Sequence, residues 1–215
     1  MRTSWLIAAL LALPTSTEAA DRRATVRDEQ GRPVADAVVV AIPEGALRRG
    51  ARSRVDQVEQ VDLEFVPHVK AIHAGSSVSF PNRDRVRHHV YSFSPAKRFE
   101  LPLYVGTPAE PVVFDQPGVV TIGCNIHDWM VGYIYVSPSP HFGTTGAEGA
   151  ALVAGMPAGR YTVRVWHPRL AAAEETTRRQ AELGATGSVA LEWVVALKPE
   201  ARVRRAPASG RSGRY

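Results

Sequence analysis

The chain is a succession of short apolar runs rich in β-branched residues, and Gly, Pro, Asn or Asp interrupts them at short intervals. Runs of about four to eight residues bounded by such turn residues are typical of β-strands. The clearest runs span residues 37–42, 77–80, 119–122, 132–136, 161–166 and 189–195. Many short strands with frequent turns predict an all-β fold, either a sandwich or a barrel.

The length of 215 residues suffices for one large domain or two small ones. Segment 171–183 departs from the strand pattern because it is richer in Ala, Glu, Arg and Gln, which favour helices. For this segment the sequence leaves open a short helix or a long loop.

The formal net charge of +5 is concentrated at the C-terminus, where residues 198–215 hold six Lys or Arg against the single acid Glu200. Pro, Ser and Gly are frequent there and apolar periodicity is absent, which predicts a basic disordered tail. The tail either is simply solvated or attracts an acidic partner or anionic lipid. Without an organised basic face, nucleic acid is not an expected partner.

The N-terminus has the layout of a cleaved secretory signal over residues 1–20. Arg2 precedes an apolar run at 5–13, and Pro14 and small residues follow up to Ala20. The run is too short for a transmembrane helix, so an exported, periplasmic protein without a stable membrane span after signal cleavage is expected. An uncleaved N-terminal anchor is the alternative.

Cys124 is the only cysteine, so the chain cannot form an intramolecular disulfide. An unpaired thiol in an oxidising compartment is prone to oxidation and wrong pairing. Metal ligation is a good physical reason to keep such a thiol, and an inert buried cysteine is the alternative.

The surroundings of Cys124 favour metal ligation. His127 follows after two intervening residues and Met130 after two more, while the pair His88-His89 offers a further imidazole upstream. Neighbouring residues on a strand point to opposite faces, so only one of the pair can readily join the others. Thiolate, two imidazoles and a weak axial thioether make up a type 1 copper site. A structural zinc site is the less favoured alternative, because zinc has no use for a thioether.

Several segments occur in an order that resembles the cupredoxins, the small blue-copper electron carriers. These segments are 65–67, 74–80, Asn82, Asp84, 86–90 and the Cys-x₂-His-x₂-Met loop. The loop is compact, as in amicyanin. The resemblance implies a cupredoxin-like Greek-key β-sandwich over residues 55–137. It also implies one type 1 copper ion, with His88, Cys124, His127 and Met130 as ligands. Electrons are expected to enter or leave at the edge of His127. In that family asparagine commonly follows the first histidine ligand, whereas here His89 does.

The flanking segments resemble a different family, the carboxypeptidase-regulatory-like small β-sandwiches. The resemblance lies in the turn within 25–42 and in the Gly-containing turn before a strand at 156–163. It implies a second small β-sandwich, with its first part at 21–54 and its remaining segments at 145–197. The copper region is then either an insertion into this sandwich or a neighbour in a simple tandem.

These features together predict an exported protein that carries single electrons between redox partners. No enzyme activity is expected, because no carboxylate pair, Ser–His arrangement or phosphate-binding glycine loop has useful spacing. The resemblance to amicyanin makes an amine dehydrogenase a possible partner, and a c-type cytochrome is another. Two alternatives remain open: periplasmic copper storage or delivery, and recognition of a wall polymer by the flanking sandwich.

Overall fold

The computed structural model describes residues 20–45, 55–184 and 191–200. The predicted signal, apart from Ala20, and the tail from residue 201 onward lie outside this part of the chain. The strands are β1 Ala20–Asp28, β2 Val38–Pro43, β3 Val55–Gln57, β4 Glu59–Val61, β5 Glu64–Val66, β6 Val69–His73, β7 Ser76–Ser79, β8 His88–Ser94, β9 Lys97–Tyr104, β10 Val112–Phe114, β11 Gly118–Gly123, β12 Val131–Ser137, β13 His141–Thr144, β14 Ala150–Met156, β15 Gly159–Trp166, β16 Arg179–Leu183 and β17 Leu191–Val195.

The prediction of an all-β protein is confirmed. Strands β2, β7, β11, β12, β15 and β17 lie at the six apolar runs identified in the sequence. In the described ranges no helix has the length and apolar character needed to cross a bilayer.

Segment 171–183 contains a short helical turn, in part as expected, but also a strand that was not expected. A single 3₁₀ turn spans Glu174–Thr177, and the segment then continues as the edge strand β16, antiparallel to β15. Leu183 at the end of β16 is buried in the apolar core. Strand pairing and burial thus outweigh the helix-forming composition, because local propensity is only a weak preference.

The central sandwich is formed by strands β3 to β12. Its larger sheet has the order β6-β12-β11-β8-β9 and its smaller sheet the order β10-β7-β3, with the β4–β5 hairpin alongside. Residues from both sheets share one apolar core, which includes Phe65, Val78, Val90, Phe114 and Ile122. The segments that resemble the cupredoxins therefore fold around a core of their own.

The flanking sandwich uses chain from both sides of the central one. A sheet of order β14-β1-β17 faces a sheet of order β13-β2-β15-β16. Their shared core is almost wholly apolar, and Val26, Val39, Val163 and Trp193 are among its buried members. The resemblance proposed for this region stays a prediction, as do the domain boundaries.

A third apolar cluster joins the two sandwiches through β2. Val39 and Ala41 point into the flanking core, whereas Val38 and Val40 point the other way and pack with Tyr135 and neighbouring side chains of β6 and β12. Since side chains alternate along a strand, β2 is buried on both faces. The flanking sandwich therefore packs against the outer face of the sheet that leads to the Cys124 loop.

Candidate metal centre

The predicted ligands lie at one end of the larger sheet of the central sandwich. Strands β8 and β11 are antiparallel, with Tyr91 opposite Gly123. The start of β8 therefore meets the end of β11, which places His88 next to Cys124. The loop between β11 and β12 is closed by its own backbone: Cys124 N–H donates to the Met130 carbonyl oxygen at 3.2 Å, and Met130 N–H donates to the His127 carbonyl oxygen at 2.9 Å.

Three donor atoms converge at this end. Cys124 Sγ lies 4.0 Å from His88 Nδ1 and 3.6 Å from His127 Nδ1. Within the described ranges these residues form the one group of three or more His, Cys, Asp or Glu side chains able to hold an ion, with donor atoms within 4.8 Å of one another. A planar trigonal ion with bonds of about 2.3 Å to sulfur and about 2.0 Å to nitrogen needs sulfur–nitrogen separations of about 3.7 Å. The observed distances bracket that value, so the donor set fits one metal ion.

Met130 lies at the end of the same loop. It is 1% exposed and belongs to the same apolar cluster as Cys124. A thioether in an apolar surrounding suits a weak axial ligand and leaves little space for water. Its role as a ligand stays a prediction.

The two adjacent histidines point to opposite faces of β8. His88 is fully buried and faces Cys124, whereas His89 places Nε2 2.7 Å from Glu100 Oε1 and its ring beside Tyr91. The alternation of side chains along a strand therefore separates the two imidazoles. The geometry favours His88 over His89 as the upstream donor.

Asp84 has a role that the sequence did not reveal. Its Oδ2 lies 2.7 Å from His88 Nε2, and its two oxygens accept the backbone N–H groups of Asp62 and Leu63 at 2.8 and 3.0 Å. In the sequence, Asp84 stands out only as part of the pattern that resembles the cupredoxins. The sequence offered one indication of this contact, namely that Asp84 precedes His88 by four residues.

The electrostatics of the site shift the pKa values of its three donor side chains in different directions. Burial opposes ionisation of Cys124, but hydrogen bonds from His88 and from the backbone N–H groups of His89 and Ile126 outweigh it and lower the pKa of the thiol. Burial also opposes protonation of His88, yet hydrogen bonds to Cys124 and Asp84 raise its pKa. For His127, burial and the nearby His88 both lower the pKa. The lowered pKa values of the Cys124 thiol and of His127 favour metal binding, whereas the raised pKa of His88 means that a metal ion has to displace a proton there.

The histidines other than His88 and His127 do not join the group. His68 Nδ1 lies 3.1 Å from the Val131 carbonyl oxygen, and His141 Nδ1 lies 3.3 Å from that of Ala154. His167 is buried in the flanking sandwich, where burial lowers its pKa to about 4.

Comparison with known proteins returns copper proteins among solved structures. A purple cupredoxin from Nitrosopumilus maritimus is 26% identical over 38% of this chain and 99% of its own, with a TM-score of 0.35. A reduced amicyanin variant is 19% identical over 47% of this chain and 99% of its own, with a TM-score of 0.35. A copper-containing nitrite reductase from Thermus scotoductus is 25% identical over 44% of this chain but only 25% of its own, with a TM-score of 0.37.

No protein-family model matches the chain, and no curated protein matches it. With TM-scores below 0.5, the structural likenesses assign no family to it.

Proposed function

We propose that this protein is an exported, periplasmic carrier of single electrons that binds one type 1 copper ion. His88, Cys124 and His127 are the proposed equatorial ligands and Met130 the axial one. The observation that carries the proposal is the convergence of Cys124 Sγ with the two Nδ1 atoms at distances of 3.6 and 4.0 Å. Copper, when bound, supplies a one-electron couple between its cupric and cuprous states.

The chain holds the donors in place before any ion binds. Strand β8 fixes His88, and the backbone-closed loop after β11 fixes Cys124 and His127. Backbone N–H groups donate to the sulfur of Cys124 and offset part of its negative charge. Because the backbone around these donor side chains is held by strand pairing and by the closed loop, the donors need little rearrangement when an electron is gained or lost. Such small rearrangement suits rapid electron transfer.

The surface beside His127 supports the proposal that electrons pass there. His127 is only partly buried, its ring packs against Trp129 at 5.3 Å between centroids, and Ile126 next to it is 49% exposed. Val86, before β8 at the same end of the sheet, is 47% exposed. An apolar rim around a partly buried ligand allows a redox protein to approach closely. An amine dehydrogenase or a c-type cytochrome is the proposed partner.

The test is spectroscopic. Copper-loaded protein is expected to be intensely blue or green, with a narrow parallel hyperfine splitting in its electron paramagnetic resonance (EPR) spectrum and rapid electron self-exchange. Storage or delivery predicts instead slow self-exchange and ready transfer of the ion to a chelator. A colourless protein under oxidising conditions, with Cys124 open to alkylating reagents, contradicts copper ligation altogether.

A further inference from the structure

We propose that Asp84, held by the turn of the β4–β5 hairpin, is a positioning residue that sets the tautomer and orientation of His88. The inference rests on the proposed function in taking His88 as a ligand. It adds that a distant hairpin, through one carboxylate, decides which ring nitrogen of His88 faces the metal.

The hairpin turn has an unusual backbone. Val61 pairs with Glu64, so Asp62 and Leu63 form a two-residue turn, and their φ angles are 53° and 62°. Two consecutive left-handed residues are typical of a tight hairpin turn, in which Asn and Gly usually stand. Here both backbone N–H groups of the turn donate to the carboxylate of Asp84. The turn thus holds the Asp84 side chain by one hydrogen bond to each of its two oxygens.

Asp84 is also anchored through its own backbone. Its N–H donates to Asn82 Oδ1 at 2.9 Å, and Asn82 Nδ2 donates to the carbonyl oxygens of Val86 and Tyr104, each at 2.9 Å. Asn82 is 4% exposed, so solvent competes little for these bonds. The position of Asp84 is therefore determined by contacts independent of His88.

Because the Asp84 carboxylate can only accept hydrogen bonds, it determines which nitrogen of the His88 ring carries the proton. A carboxylate at neutral pH only accepts hydrogen bonds, and the two turn amides already occupy both of its oxygens. The 2.7 Å contact then requires that His88 donate from Nε2. Neutral His88 consequently carries its proton on Nε2 and presents the lone pair of Nδ1 towards Cys124.

The neighbouring residue supplies a matched control. His89 makes a carboxylate contact of the same 2.7 Å length with Glu100, but on the opposite face of the sheet and with a largely exposed partner. Removing Glu100 therefore deletes an imidazole–carboxylate pair of equal length without touching the proposed ligand set. The Glu100 variant therefore tests whether an effect depends on a carboxylate beside the histidine that faces Cys124.

The experiment compares Asp84→Leu, Asp84→Asn and Glu100→Leu by ¹⁵N NMR of the apo-protein at alkaline pH, where His88 is neutral. The unaltered protein and Glu100→Leu are expected to show His88 only as the Nε2–H tautomer. Asp84→Leu leaves no acceptor and should populate both tautomers. Asp84→Asn, whose single amide oxygen can still accept from His88, should retain the tautomer and remains informative if Asp84→Leu does not fold.

Copper binding gives the second readout. Loss of an acceptor behind a metal-bound histidine typically weakens metal affinity by about 10- to 100-fold. We expect a loss in that range for Asp84→Leu in a chelator competition, a wider parallel hyperfine splitting and a higher reduction potential. Asp84→Asn should raise the potential as well, because it removes a negative charge near the ion, while Glu100→Leu should leave affinity and splitting unchanged.

The role of the turn is tested by inserting two glycines between Asp62 and Leu63, which displaces the amides, against Leu63→Gly, which keeps the amide and suits a positive φ. The insertion should shift the His88 tautomer and Leu63→Gly should not. A single Nε2–H tautomer in folded Asp84→Leu, or an Asp84→Asn protein identical to Glu100→Leu in potential, would overturn the inference. Absence of copper binding in the unaltered protein would instead contradict the proposed function. The NMR measurement on the apo-protein would still test whether Asp84 sets the tautomer of His88.

Discussion

The two sandwiches share an architecture but differ in what they bury. The flanking core consists of Ala, Val, Leu, Met, Tyr and Trp side chains. Both sandwiches also bury polar side chains, such as Thr145 and His167 in the flanking one. The central sandwich, whose apolar core is of similar kind, gathers Gln60, Asn82, His88 and His89 at one end. Chemistry therefore follows from a cluster of buried polar groups at the end of one sheet and not from the sandwich fold itself.

Several buried polar groups of the central sandwich are hydrogen-bonded to one another or to the backbone, although Gln60 Oε1 and His89 Nδ1 have no partner among the described residues. Gln60 Nε2 donates to the Phe80 carbonyl oxygen at 3.1 Å and contacts the hydroxyl of Tyr104, which in turn donates to the same carbonyl. In the flanking sandwich the buried hydroxyl of Thr145 accepts from Ala37 N–H and donates to the Val34 carbonyl oxygen, which only ties a loop down. Buried polar groups are tolerated when they are paired. In the central sandwich, the hydrogen bonds between Asn82 and Asp84 and between Asp84 and His88 also lead to a candidate ligand.

The largest expected effect is loss of the copper colour, which should follow from a substitution in the central sandwich but not from one in the flanking core. Cys124→Ser should abolish the thiolate-to-copper charge-transfer band while the protein still folds, because the sulfur is the donor for that transition. Val163→Ala in the flanking core should keep the band and lower the free energy of unfolding by about 2 kcal/mol. Absorption spectra of copper-loaded samples and urea denaturation check both outcomes, and colour retained in Cys124→Ser would refute the ligand assignment.

The next comparison is between the two faces of β8. His88→Ala is expected to bleach the copper-loaded protein, whereas His89→Ala should keep its colour because His89 faces Glu100 on the outside of the sheet. The readout is the intensity of the charge-transfer band at saturating copper. If His89→Ala bleaches the protein and His88→Ala does not, the upstream ligand is His89 and the assignment to His88 is wrong.

A smaller change is expected at the axial position. Met130→Leu should retain copper and colour but raise the reduction potential, because a thioether donor stabilises the cupric state more than an alkyl group does. Cyclic voltammetry of the two proteins measures the shift. An unchanged potential would remove Met130 from the proposed ligand set.

The last comparison concerns the flanking sandwich alone and depends on pH. Burial lowers the pKa of His167 to about 4, from an ordinary value near 6.5. Between these values the unfolded chain binds a proton that the folded protein does not, so this residue contributes stability above pH 6.5 that is lost as the pH falls towards 4. The loss should reach at most about 3–4 kcal/mol.

His167→Asn tests this contribution, because it cannot titrate and still offers an acceptor for the Arg169 N–H that His167 Nδ1 now receives. Denaturation across pH 4 to 7 should show a flatter dependence for the variant, with the copper spectrum at neutral pH unaltered. Parallel curves for the two proteins would show that His167 has no such role.

Much of the site could be predicted because its residues are close in sequence or follow strand alternation. The compact loop places Cys124, His127 and Met130 between two strands, and β11 and β12 lie where apolar runs indicated them. The alternation of side chains also predicted that His88 and His89 could not both face the thiol. Asp84 was part of the pattern, but its contact with His88 was not foreseen.

The rest could not be predicted because it depends on pairings between distant parts of the chain. The turn amides of Asp62 and Leu63 meet Asp84 only after the hairpin has packed beside the segment before β8. Likewise, β16 became a strand through pairing with β15.

The sequence by itself determined the strand content and the soft donor set, since turn residues, β-branched runs and a lone thiol near imidazoles act locally. The tertiary structure alone decided which carboxylate reaches His88, how the flanking sandwich covers the outer face of the central sheet, and that His167 is buried. Those outcomes come from close packing of surfaces formed by residues far apart in the chain, and no local pattern encodes which surfaces meet.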